Sequence, residues 1–173
     1  MPSKKTKAVK TKVLNHSDIE KIIKRMAYQI YENNFSDKFI TIVGISSRGF
    51  EIAKLLQTEL ELISNLKSDL LEITIEKDNP SNETTIIKPT KFDIKRTVVI
   101  VDDVLNTGRA MVYAALPFLN LKVSKIQVAV LVDRNHKKFP IAADYTGIQL
   151  NTTFQEHVSV ETNKKKQFEV YLQ

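Results

Sequence analysis

Residues 98–110 read Val98-Val99-Ile100-Val101-Asp102-Asp103-Val104-Leu105-Asn106-Thr107-Gly108-Arg109-Ala110. The β-branched run is the pattern of a buried strand, and it delivers two adjacent carboxylates to the strand's end. A tight turn follows. It presents successive backbone N–H groups and the Thr107 hydroxyl at the start of a helix whose one side is Ala110, Met111, Ala114, Ala115, Phe118 and Leu119. Such a turn, with the positive end of a helix behind it, binds a phosphate dianion. Gly108 lets the backbone approach the oxygens. Carboxylates are poor partners for phosphate but good acceptors for a pair of hydroxyls. The segment is therefore expected to hold a sugar phosphate, with the diol on Asp102 and Asp103 and the phosphate on the turn from Val104 through Leu105, Asn106, Thr107 and Gly108 to Arg109. An acidic strand end capping a helix explains a bare Asp-Asp pair, but not the whole segment. A nucleoside-triphosphate loop is excluded, since it needs a Gly-rich turn followed by Lys and then Ser or Thr.

The same strand–loop–helix pattern repeats on either side. Ser17 with Glu20 has the spacing of a capping box, and Ile19, Ile22, Ile23, Met26, Ala27, Ile30 and Tyr31 then recur at helical intervals, a core-packing stripe. Phe39 to Gly44 is a short apolar run, followed by Ile45-Ser46-Ser47-Arg48-Gly49 and a helical pattern to about Ile63. Leu70 to Glu76 alternates like a strand, and Asp78 to Thr90 is a polar loop of the length that often serves as a lid. Lys125 to Val132 is another buried strand, ending in Asp133-Arg134. Strands alternating with helices predict a single α/β domain with a mostly parallel sheet flanked by helices, and ligands beyond the carboxyl ends of the strands.

With 173 residues, 42% apolar and 27% charged, the chain suits one soluble globular domain. It has no cysteine, which excludes disulfides and thiolate metal sites and fits a reducing compartment. No apolar run approaches membrane-spanning length and the lysine-rich start lacks the apolar core of a signal peptide, so a cytoplasmic protein without membrane contact is expected. The net charge of +6 is concentrated in residues 1–12, where Lys4, Lys5, Lys7, Lys10 and Lys12 face no acid; without those five the rest carries +1. Residues 1–12 therefore read as a disordered basic tail and residues 13–173 as the domain.

The segment around Asp102 and Asp103 resembles the signature of type I phosphoribosyltransferases. The likeness extends over about residues 13–160 to the PyrR family, bifunctional pyrimidine-operon attenuators and uracil phosphoribosyltransferases. It is carried by Gly44-Ile45-Ser46-Ser47-Arg48-Gly49, by Glu72-Ile73-Thr74-Ile75, by Ala129-Val130-Leu131-Val132-Asp133-Arg134-Asn135-His136 and by Pro140-Ile141-Ala142-Ala143-Asp144-Tyr145-Thr146-Gly147. The resemblance implies a type I phosphoribosyltransferase fold with a small base-binding hood, placed at Asp144 to Leu150. It implies that Ser46, Ser47, Arg48 and Gly49 hold the diphosphate of phosphoribosyl diphosphate, which is chemically sensible because a guanidinium forks onto phosphate oxygens. A helix N-cap would explain Ser-Ser-Arg-Gly on its own. Ser46 stands where the family usually has Lys.

By the same resemblance, Asp102, Asp103, Arg48 and Lys88 are the candidate catalytic residues, and Lys77, Asp133 and Arg134 join the substrate contacts. Lys77 and Lys88 read equally well as solvated loop charge. Mg2+ is the implied cofactor, bridging the diphosphate and ribose hydroxyls, with Asp102 and Asp103 reached through its waters rather than as firm ligands. Purine-using relatives have Asp where this chain has Asn106 and Lys where it has Asp133, so the implied base is uracil, giving UMP, with a purine enzyme as an alternative. A nucleotide-sensing, RNA-binding regulator is another. The family's RNA face uses basic and polar residues, however, and here Asn33, Ala142 and Ile148 replace cations and Tyr28 a histidine, with Lys24 and Lys137 compensating in part. Specific RNA binding is therefore not expected. The partners expected are phosphoribosyl diphosphate, a nucleobase and further copies of the chain in a homo-oligomer, a dimer or larger.

Overall fold

The apolar runs become the inner strands of a six-stranded sheet in the computed structural model, which describes residues 10–75, 85–87, 96–121 and 123–173. In chain order the elements are β1 (Thr11–Leu14), α1 (His16–Asn33), β2 (Phe39–Ile45), α2 (Ser46–Ile63), β3 (Lys67–Thr74), β4 (Thr85–Ile87), β5 (Thr97–Leu105), α3 (Arg109–Asn120), β6 (Lys125–Asp133), β7 (Tyr145–Gln149), β8 (Val158–Thr162) and β9 (Phe168–Leu172). The main sheet has the order β4-β3-β2-β5-β6-β7. Its strands from β3 to β7 in that order are parallel, and only β4 is antiparallel, on the β3 edge.

The central strands are apolar on both faces because both faces are covered. On β5, Val99 and Val101 face one side and pack with Ile23, Met26 and Ile30 of α1 and Ile52, Leu56 and Leu60 of α2. Val98 and Ile100 face the other, with Met111, Ala114 and Phe118 of α3. One α/β domain with two core layers results, and every loop that follows a parallel strand emerges at the same end of the sheet.

Several local expectations change. The capping box of α1 is Asn15 with Asp18, not Ser17 with Glu20: Asp18 N–H donates to Asn15 Oδ1 and Asn15 N–H to Asp18 Oδ2, both at 3.1 Å. Strand β5 does not stop at the acids but continues its ladder with β6, pairing Asp102 with Val130, Val104 with Val132 and Leu105 with Asp133. Residues 145–149, expected in the hood, form the edge strand β7 of the main sheet beside β6.

The hood is a separate three-stranded antiparallel sheet, β1-β9-β8, made from the two ends of the described chain. The boundary placed after residue 12 is corrected as well, because Thr11 and Lys12 pair with Leu172 and Tyr171. Among the described residues no helix is long and apolar enough to cross a membrane.

Candidate active site

Two helix starts and one strand end meet at a cleft of about 480 Å3. Helix α2 begins directly after β2, and its N-cap, Ile45, has no side chain to bond the first N–H groups. Those donors stay open at the cleft, lined here by Ser46, Ser47 and Arg48. Ser46 sits in the left-handed region at φ 52°, a conformation an L-residue adopts against its preference. Helix α3 repeats the arrangement: Gly108 is its N-cap at φ 83° and caps nothing. Asn106, Thr107, Arg109 and Ala110 line the cleft on that side. The Thr107 hydroxyl accepts from Arg109 N–H at 3.3 Å.

Between these two positive helix ends stand Asp102 and Asp103, half-buried at the cleft. Asp102 Oδ1 accepts from the Asp103 N–H at 2.9 Å, and Asp103 Oδ1 from the Val104 N–H at 2.7 Å. These local bonds aim the carboxylates while leaving further lone pairs on each. A Cβ on Gly108 would lie 2.5 Å from the Ile141 side chain, so the turn packs flat on the segment after β6. The backbone ties it there, with Lys138 and Phe139 N–H donating to Thr107 O at 2.9 and 3.1 Å.

The opposite wall comes from the hood. His157, Val158, Ser159 and Val160 line the cleft, together with Ile45, Ile75 and Val104. None of His157 to Val160 was picked out from the sequence. Their strand is visible there as the alternation of Val158 and Val160, then Phe168 and Val170, around a turn whose Asn163 Oδ1 accepts from the N–H groups of Lys165 and Gln167. Nothing local says that this hairpin folds over the loops of the main sheet.

Arg48 lines the cleft, and its guanidinium donates to the Thr162 hydroxyl of β8 and pairs with Glu51 at 3.4 Å. Arg134 also lines the cleft but is 5% exposed, with its guanidinium on oxygens of residues 152–156. Asp133 is 2% exposed and is not part of the lining; it pairs with Lys137 at 3.2 Å and accepts the Asn135 N–H at 2.8 Å. Leu105 is buried in the core and Gly49 under the start of α2, so neither side chain position faces the cleft. Lys77, Lys88 and most of the stretch 78–90 lie outside the described residues.

The hood carries its own ion pairs, Lys10–Glu161 at 2.6 Å and Lys12–Glu169 at 2.7 Å. Bonding to Lys10 and then Ser159 holds the Glu161 carboxyl below the usual glutamate range, and Lys12 with Tyr171 does the same for Glu169. Glu156 is held down by the Thr153 N–H, at 2.6 Å. Among the described residues no cluster of three or more His, Cys, Asp or Glu could hold a metal by itself. The cleft thus sets the positive ends of two helices on either side of a pair of carboxylates, with Arg48, Arg109 and Arg134 on its walls.

A family model described as phosphoribosyl transferase domain matches residues 10–165. The chain is 36% identical over 162 residues to the bifunctional protein PyrR of Deinococcus radiodurans, covering 89% of this chain and 88% of that one. It is 37% identical over 161 residues to the PyrR of Brevibacillus brevis, covering 88% and 89%. Among solved structures, a hypoxanthine phosphoribosyltransferase of Trypanosoma cruzi matches with a TM-score of 0.74 at 15% identity, covering 94% of this chain and 95% of that one. That likeness concerns the fold.

Proposed function

Since this chain belongs to the phosphoribosyl transferase family, among the PyrR proteins, we propose that it transfers ribose 5-phosphate from phosphoribosyl diphosphate to uracil, giving UMP and diphosphate. The observation that carries the reading is the placement of Asp102 and Asp103 between two helix starts whose N-cap residues, Ile45 and Gly108, make no side-chain capping bond, in one cleft. A donor substrate with a phosphate at one end, a diphosphate at the other and a diol between them has that same order of charges.

In the reaction a ring nitrogen of uracil forms a bond to C1 of the ribose, the bond from C1 to the diphosphate oxygen breaks, and the proton of that nitrogen passes to water. The α3 start and the turn Asn106–Gly108 hold the 5-phosphate; Asp102 and Asp103 accept from the ribose hydroxyls; the α2 start holds the leaving diphosphate. Arg48 neutralises its developing charge, exchanging the Thr162 hydroxyl for phosphate oxygens. Fixing both ends of the sugar leaves C1 as the mobile point, and protein groups need only position and neutralise.

Two carboxylates without a third ligand suit a magnesium ion held mainly by substrate oxygens and water, with Asp102 and Asp103 facing its waters. When bound it would supply further neutralisation of the diphosphate.

The choice of uracil follows the likeness to the PyrR proteins; Asn106 lines the cleft with an amide that cannot take up a ring proton, so that proton leaves by another route. A regulator acting through RNA is not favoured. Ile148 packs against the core, and the carbonyl of Asn33 is taken by Lys125 at 3.2 Å. We place the enzyme in the cytoplasm. The deciding experiment is a turnover screen of uracil, orotate, hypoxanthine and guanine with phosphoribosyl diphosphate and Mg2+. Uracil should be consumed, and turnover of hypoxanthine or guanine with none of uracil overturns the assignment.

A further inference from the structure

The hood docks on the main sheet and its helices through Val158, Val160, Phe168 and Val170, and beside this apolar contact stands a buried arginine. Arg134 lies at the end of β6, 5% exposed. Its Nε donates to Thr152 Oγ1 at 3.0 Å, and its Nη2 to the carbonyls of Thr153 at 3.4 Å and Glu156 at 2.6 Å. Among the described residues its hydrogen bonds go to hydroxyl and carbonyl oxygens, while its charge also helps to hold down the nearby Glu156 carboxyl. A buried guanidinium costs much desolvation unless its donors are used, so these bonds fix the segment 152–156 firmly.

That segment leads straight into the cleft wall. Glu156 precedes His157, whose N–H and carbonyl both pair with Gln173, at 2.7 and 2.9 Å, and then Val158, Ser159 and Val160. On its other side Arg134 is joined to the phosphate turn, since its own N–H donates to Leu105 O at 3.0 Å. His136, two residues on, adds a bond of 2.6 Å between Nε2 and Thr152 O. Arg134 therefore connects the turn that begins at Asn106 to the wall that begins at His157.

We propose that Arg134 is a positioning residue that acts through the hood: it holds residues 152–156 so that His157 to Val160 close the substrate cleft opposite the phosphate turn. This deepens the proposed phosphoribosyltransferase reading, and its ligand-binding consequence rests on it. The planar fork is what the role requires, because a lysine ammonium cannot reach Thr152, Thr153 and Glu156 together in one plane.

The test is hydrogen exchange on the full chain without ligand, with UMP and phosphoribosyl diphosphate titrated in parallel. Arg134→Ala should speed exchange in residues 152–160 by about tenfold or more while residues 98–101 keep their protection. UMP affinity should fall in step, guanidinium at millimolar concentration should restore both, and Arg134→Lys should restore little. Should Arg134→Ala fail to fold, Thr152→Val, which removes the acceptor of Nε and a 3.4 Å contact to His136 Nε2 but keeps the other guanidinium bonds, must show a smaller change in the same residues. Unchanged exchange at 152–160 with weakened UMP binding would make Arg134 a direct substrate contact and overturn the proposal. Unchanged exchange and affinity overturn it too. If the wild-type chain binds neither ligand, the functional reading fails, while the exchange result still decides the bracing role.

Discussion

A Cβ on Gly49 would lie 3.1 Å from Asp102 Oδ1 and 2.7 Å from the carbonyl oxygen of Val101. The start of α2 and the end of β5 therefore touch without an intervening side chain, which brings the α2 donors and the ribose acceptors to one cleft. Gly49→Ala cannot be absorbed by a flexible side chain, since the nearest atom is backbone. It should destabilise the fold by about 1–3 kcal/mol and weaken phosphoribosyl diphosphate binding at least as much as it weakens UMP binding. Thermal melts and titrations of both ligands check this; an alanine variant with native stability and affinity contradicts the close packing.

The acid pair can be tested without disturbing the ladder around it. Asp102→Asn with Asp103→Asn keeps the shape and removes both charges. Each charge-assisted bond to a ribose hydroxyl is worth about 1.5–3 kcal/mol, so turnover or affinity should drop by about tenfold to a hundredfold per residue. Circular dichroism should show the fold intact. A folded double variant with full activity sinks the reading of this segment.

The hood should respond to acid before the main sheet does. Glu161 and Glu169 titrate below the usual glutamate range because of Lys10 and Lys12. A carboxylate depressed in the folded state stabilises above its unfolded pKa, and that stabilisation disappears as pH falls through the folded value. Lys12 is raised by Glu169, so its share is present below the ordinary lysine value and is lost only as pH rises past it. Amide protection in Thr11–Leu14 should thus fade as pH drops below the glutamate range, while Val98–Val101 stay protected. The change should shrink in high salt, because the pairs are exposed. Simultaneous release of β1 and β5 would show that these pairs do not govern the docking of β1.

RNA binding separates the enzyme from a regulator. Of the five lysines in residues 1–12, Lys10 and Lys12 already face Glu161 and Glu169, which leaves Lys4, Lys5 and Lys7. Three such cations give at most a salt slope of about −3 and no sequence preference. Filter binding should therefore show weak association that vanishes when residues 1–9 are deleted and is indifferent to UMP. Tight, UMP-enhanced binding of the truncated chain to a structured pyrimidine-operon leader would make the protein a regulator.

What the sequence discloses follows the range of the forces involved. The succession of strand, acid pair, turn and helix start in residues 98–110 was legible because all of it lies within thirteen residues, each part with a local steric or electrostatic reason. The start of α1 was misplaced because Asn15/Asp18 and Ser17/Glu20 both satisfy capping spacing. What decides is the main-chain bond from Ile19 N–H to Asn15 O, which seats Ile19 at the core. The end of β5 was read two residues early or more, since charge was taken to end a strand, whereas β6 continues to pair beside Asp102 and Val104. Asp133 looked like a cleft residue from its place at a strand end, yet Lys137 one helical turn's distance later neutralises it in the interior. A hood was expected, but it was placed at residues 144–150, because the pairing that builds it joins Thr11 to Leu172 across nearly the whole chain.

That pairing has a consequence for how the molecule comes into being. On a ribosome β1 emerges first of the described elements, and the parallel sheet with its three helices is complete in residues 16–149 before β8 and β9 are made. Strand β1 must wait for β9, so the wall bearing His157 to Val160 is sealed only after Phe168 to Leu172 have left the tunnel. A nascent chain can thus hold the parallel sheet and both helix starts while Val158, Val160, Phe168 and Val170 are still missing from its core and the cleft is open. The cleft is walled only when β9, the last of the described elements, has paired with β1 and β8.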